Sequence, residues 1–140
     1  MIMRCCAFQS AELSFFGMKY LFLAIGGVAG VIMRYQLGVW ISGWNSSSFP
    51  WATLAINVTG SLSLGFLMRY LTGVASSPEM RLMLTTGFCG GYTTMSTFSY
   101  ELVSLFTERQ FGLAFLYLSS TMLFAPLACL AGFALAEMAL

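Results

Sequence analysis

The residues best suited to chemistry are concentrated in one stretch. From Thr85 to Ser99 the chain reads Thr-Thr-Gly-Phe-Cys-Gly-Gly-Tyr-Thr-Thr-Met-Ser-Thr-Phe-Ser. A glycine inside a helix costs about 1 kcal/mol relative to alanine, and β-branched threonines add smaller penalties. Gly87, Gly90 and Gly91 therefore make a poor continuous helix. The segment fits a helix interrupted near Gly90-Gly91, with backbone carbonyls and amides free to face an ion. A continuous helix that uses its small residues for close packing is the other reading open to it.

Asn57 is a second signal, because an amide in an apolar run is costly without a partner or a wet cavity. Asn57, Gly60, Ser61 and Leu64 share one helical face, as do Tyr117, Ser120, Thr121 and Phe124. Such faces supply hydrogen-bond donors, which solvate an anion or glue helices together. Arg34 and Glu101 are charges inside apolar runs at similar depth, which makes them functional candidates or a structural charge pair. Gly26, Gly27 and Gly30 form a small-residue face for close helix contact. All five acids are Glu and there is no His, so the commonest general base and metal ligand is absent. No nucleophile–base pair suggests an enzyme. Cys5, Cys6, Cys89 and Cys129 form no C-x-x-C pair and read as small packing residues.

The elements that must hold these residues follow from composition. Of the 140 residues, 59% are apolar and only 8% charged, against about 25% in an ordinary soluble domain. So few charges cannot cover a soluble protein of this size, and lipid must solvate the rest. The net charge of +1 is too neutral for nucleic acid. At roughly 20 residues per span the chain makes room for four helices. They are expected at about 20–41, 51–71, 79–106 and 111–135, the last with Pro126 as a kink. Residues 1–17 are set apart as a tail, with Met18 a second plausible start, and 18–140 form a single membrane domain. Trp40, Trp44 and Trp51 gather at one interface. Arg4, Lys19, Arg69 and Arg81 against Arg109 lean modestly towards cytoplasmic termini.

In these motifs the chain resembles the CrcB/Fluc family of fluoride channels. The matching pieces are Gly26 to Gly30 with Arg34-Tyr35, Pro50 through Thr53-Leu54 to Asn57-Val58-Thr59-Gly60, and Gly87 to Thr94 with Ser96 to Ser99 and Glu101. The resemblance implies an all-α membrane protein with four transmembrane helices per subunit, the third broken, in an antiparallel dual-topology homodimer in the cell (inner) membrane. It implies one structural Na⁺ at the dimer centre, held by the backbone carbonyls of Gly90 and Thr93. It also implies fluoride paths lined by Asn57, Met95, Ser96, Thr97, Phe98, Tyr117 and Thr121, with Met95 standing where the family has a phenylalanine. The function implied is passive export of cytoplasmic fluoride.

Two other readings stand beside it. A small proton-coupled multidrug transporter needs a carboxylate in the first span, where this chain has Arg34 and no acid. A non-transporting membrane assembly subunit would have no requirement for Asn57 or for the Thr93-Thr94 break.

Overall fold

The computed structural model describes residues 2–44 and 47–140, with side chains from residue 17 onward. The side chains of Arg4, Cys5, Cys6 and Glu12, and the linker residues Asn45 and Ser46, lie outside the described residues. The regular elements are all helical: α1 (Ile2–Trp44), α2 (Trp51–Gly73), α3 (Pro78–Leu82), a π-helical segment (Met83–Cys89), α4 (Gly90–Tyr92), α5 (Met95–Thr107) and α6 (Phe111–Met138). Three helices are long and apolar enough to cross a membrane: Gly17–Trp44 within α1, then α2, then α6. The third apolar stretch is divided, and none of its pieces is long enough alone. Helix α6 runs through Pro126.

Glycines bring the helices together. A Cβ on Gly26 would overlap the Met83 carbonyl oxygen, and one on Gly30 would overlap that of Phe88. From the other side, a Cβ on Gly91 would lie 2.6 Å from the Gly27 carbonyl oxygen. The expected glycine face of α1 therefore seats the π segment and α4 backbone to backbone. Gly65 and Gly132 do the same for α2 and α6, against the carbonyls of Cys129 and Leu62. In lipid, where apolar burial gives helices little reason to associate, this close packing supplies the attraction.

The interruption lies at Thr93-Thr94, at the far end of the stretch that begins with Gly90-Gly91. Gly90 is an ordinary right-handed helical residue at φ −66°, ψ −36°. Thr93 and Thr94 are extended, with ψ of 157° and 111°. No described glycine has positive φ. Gly87 and Gly91 are there for contact with α1, and the threonines make the break.

Beside α5 and α6 sits a small core of Phe49, Leu54, Phe98, Leu105, Ala114 and Tyr117, with Ala114 and Tyr117 fully buried. The Phe98 and Tyr117 rings are 5.0 Å apart, and Phe49 meets Tyr117 edge-on at 5.6 Å. Trp40, Trp44 and Trp51 are all exposed near the α1–α2 linker, as amphipathic rings at a membrane interface would be.

Candidate functional site: a polar break between α4 and α5

In an unbroken helix the Thr94 N–H would bond to the Gly90 carbonyl, and the Thr97 N–H to the Thr93 carbonyl. Neither does so here. Thr94 N–H donates to Asn57 Oδ1 at 2.8 Å, and Thr97 N–H donates to Thr94 Oγ1 at 3.2 Å. Thr94 is thus the N-cap of α5, the role for which its short hydroxyl suits it. The Gly90 and Thr93 carbonyls both lose their helical donors as a result.

Asn57 meets the break at two points, since its Nδ2 also donates to the Thr94 carbonyl at 3.1 Å. The amide therefore replaces both backbone partners that Thr94 gave up. On the other side, Arg34 Nη1 donates to the Thr93 carbonyl at 3.3 Å. Thr94 Oγ1 donates to Thr97 Oγ1 at 2.9 Å and lies 3.3 Å from Ser96 Oγ.

The expected Arg34–Glu101 pair is not formed within the chain. Glu101 accepts from Thr53 Oγ1 at 2.8 Å and from Tyr117 Oη at 2.7 Å, while Arg34 turns to the break. Two hydroxyls, one on each oxygen, hold the carboxylate within the chain. Arg69 and Glu137 form an ion pair at 3.2 Å near the ends of α2 and α6.

Two clefts flank Thr94. One, of about 280 Å³, is lined by Asn57, Ser61, Thr94, Met95 and Thr121 among others. Thr121 is 4% exposed, and its Oγ1 has no hydrogen-bond partner. The second cleft, of about 720 Å³, is lined by Arg34, Thr53, Thr94, Thr97 and Glu101 among others. The structure thus brings Asn57, Met95 and Thr121 to one cleft, Ser96 to the Thr94 hydroxyl, and Thr97 to the other cleft. Phe98 and Tyr117 sit in the core behind them, and the Tyr117 hydroxyl is spent on Glu101. Sequence reasoning missed Thr53 and the central role of Thr94. Thr53 was within reach, because it lies four residues before Asn57 on the same helical face.

Gly90 is exposed and nothing lies within 4 Å of a Cβ built on it. Thr59, Thr86, Ser96, Thr97 and Ser99 are exposed as well. Among the described residues no group of three or more His, Cys, Asp or Glu could hold a metal. A cation here would depend on carbonyl oxygens.

An all-helical membrane protein organised around a polar break in a helix is the class these features define. The family model described as CrcB-like protein, Camphor Resistance (CrcB), matches residues 21–133. The chain is 44% identical over 112 residues to the fluoride-specific ion channel FluC of Acidobacterium capsulatum, covering 79% of this chain and 90% of that one. It is 38% identical over 117 residues to the FluC of Thermus thermophilus, covering 84% and 92%. Against the FluC of Agrobacterium fabrum it is 41% identical over 114 residues, covering 81% and 91%. The chain belongs to the CrcB family.

Proposed function

We propose that the chain is a fluoride-selective anion channel that gives passive export of cytoplasmic fluoride. The observation that carries this reading is the small cleft in which Asn57 and the unpartnered, buried Thr121 hydroxyl stand together beside the break. Fluoride is small and strongly hydrated, so a path must replace its water with close donors. Neutral amides and hydroxyls do so and still let the ion leave. A buried hydroxyl without a partner costs free energy, and its O–H is available to an ion in transit. The relatives named as fluoride-specific channels support the same ion. Transport, not catalysis, is the activity.

The reading extends to architecture. The stretch from α3 to α5 crosses the membrane as a fourth, broken span, with its free backbone groups covered by Asn57 and Arg34. Exposed Thr59, Thr86, Ser96, Thr97 and Ser99 are poor neighbours for lipid and good ones for a second copy. A homodimer in the cell (inner) membrane covers them. The pair is antiparallel, as the family resemblance implies, against a modest lean of Lys19, Arg69 and Arg81 over Arg109 towards one orientation.

The residues also fit a structural Na⁺. Gly90 and Thr93 would hold it, because their carbonyls have lost helical donors and Gly90 lies on the exposed face. A carbonyl oxygen has two lone pairs, so Thr93 can serve Arg34 and a cation. Such an ion supplies positive charge that ties the carbonyls of two copies together.

The test is growth. Bacteria stripped of fluoride export should regain growth in millimolar fluoride when they express this chain, and lose it again with Asn57→Ala. No rescue despite membrane insertion would count against the channel.

A further inference from the structure

We propose that Tyr92 is a positioning residue: its hydroxyl bond to Thr59, with the Asn57–Thr94 pair, holds the Thr93 peptide from both sides and sets the direction of its carbonyl. Tyr92 is the last residue of α4 and is 5% exposed. Its Oη lies 2.8 Å from Thr59 Oγ1. Thr59 has a single hydroxyl proton, and that proton is committed to the Ala55 carbonyl at 2.7 Å. Tyr92 is therefore the donor and Thr59 the acceptor, and the bond runs from Tyr92 through Thr59 into the α2 backbone.

The ring is wedged as well as tethered. It stacks on Phe88, 5.9 Å between centroids at 3°. Gly60 packs against the ring too: a Cβ there would come 2.9 Å from Tyr92 Cδ1 and would overlap Thr93 Cγ2. Residues 57 and 59 of α2 thus hold residues 94 and 92 of the third stretch, with Thr93 bracketed between them. Thr93 itself donates its hydroxyl to the Cys89 carbonyl at 2.9 Å, and its own carbonyl faces Arg34. A peptide without a helical donor is otherwise free to rotate. Two bonds two residues apart, plus a ring with few rotamers, remove that freedom. The functional consequence, though not the geometry, rests on the channel reading above.

Two near-isosteric variants of the full-length protein, Tyr92→Phe and Thr59→Val, remove one hydroxyl each, and Thr59→Ser keeps it. Amide hydrogen exchange at residues 93–97 in detergent should quicken about fivefold in each single variant, the size of one net hydrogen bond. The double variant should be no faster than either single one, Thr59→Ser should match the wild type, and α6 should be unchanged in all. In liposomes the fluoride-to-chloride permeability ratio should fall in the same variants and recover in Thr59→Ser. Unchanged exchange at the break in both single variants would overturn the latch. Faster exchange with an unchanged ratio would overturn the positioning role. A wild type without fluoride-selective efflux would strike the channel reading alone, and the exchange comparison would still decide the latch.

Discussion

Asn57 and Thr94 exchange two hydrogen bonds, Nδ2 to the Thr94 carbonyl at 3.1 Å and Thr94 N–H to Oδ1 at 2.8 Å. One side chain on α2 thereby does the work of a missing helical turn. Backbone groups this deep in the protein need partners, and the Asn57 amide offers a donor and an acceptor side by side.

Asn57→Ala should therefore damage the fold as well as the path. It leaves the buried N–H and C=O of Thr94 unpaired, at about 1–3 kcal/mol for each group. Thermal melting in detergent should show the loss. Asn57→Asp, which keeps an acceptor for the Thr94 N–H, should lose less. A wild-type melting curve for Asn57→Ala would mean that Asn57 does not hold the break.

Glu101 should be coupled to Tyr117 and not to Arg34. Its carboxylate takes hydroxyl bonds from Tyr117 and Thr53, and Arg34 bonds elsewhere. In double-mutant cycles read by melting, Glu101→Gln with Tyr117→Phe should show a coupling of about 1 kcal/mol. Glu101→Gln with Arg34→Gln should be additive within about 0.5 kcal/mol. The reverse pattern would restore the direct charge pair.

Glycines of the same motif should behave in opposite ways. Gly30→Ala drives a methyl into the Phe88 carbonyl and should abolish folded protein. Gly90→Ala meets open space in the chain and sits in good helical geometry, where alanine is favoured by about 1 kcal/mol. It should fold normally and fail only where a second copy and Na⁺ use that surface. Dimer lifetime in Na⁺ should exceed that in a large organic cation at equal ionic strength, by mass action. Gly90→Ala should erase the difference. Equal wild-type lifetimes in both cations would argue against the site.

How far the sequence reached depends on the kind of contact. Gly26 and Gly30 were legible because close helix contact is written in spacing along one helix. Composition alone was enough for the membrane class. The exact break was not legible, because the partner that makes it tolerable, Asn57, lies 37 residues away. Glycine cost pointed to Gly90-Gly91, but Gly91 serves α1, Gly90 faces open space, and the cap is Thr94. Arg34 and Glu101 line one cleft without pairing. Depth follows from position along a helix, whereas the choice of neighbour follows from helix rotation, which spacing does not supply. Phe98 shows the same limit: it turns into the core beside Tyr117, away from both clefts.

Thr121→Val should separate path from scaffold. The wild-type hydroxyl is buried without a partner, so removing it breaks no bond in the chain. Melting should be unchanged or slightly higher, because a buried unsatisfied group is lost. Fluoride efflux should fall about tenfold, on the scale of one charge-assisted hydrogen bond. Unchanged efflux would remove Thr121 from the path.

The most direct test of the account is anion efflux from liposomes that contain only this protein. With valinomycin to balance charge, a fluoride electrode should record rapid, passive release from fluoride-loaded vesicles, without a proton gradient or nucleotide. Chloride-loaded vesicles should release at the rate of protein-free controls. Equal release of both anions, or of neither, would contradict the fluoride-selective channel.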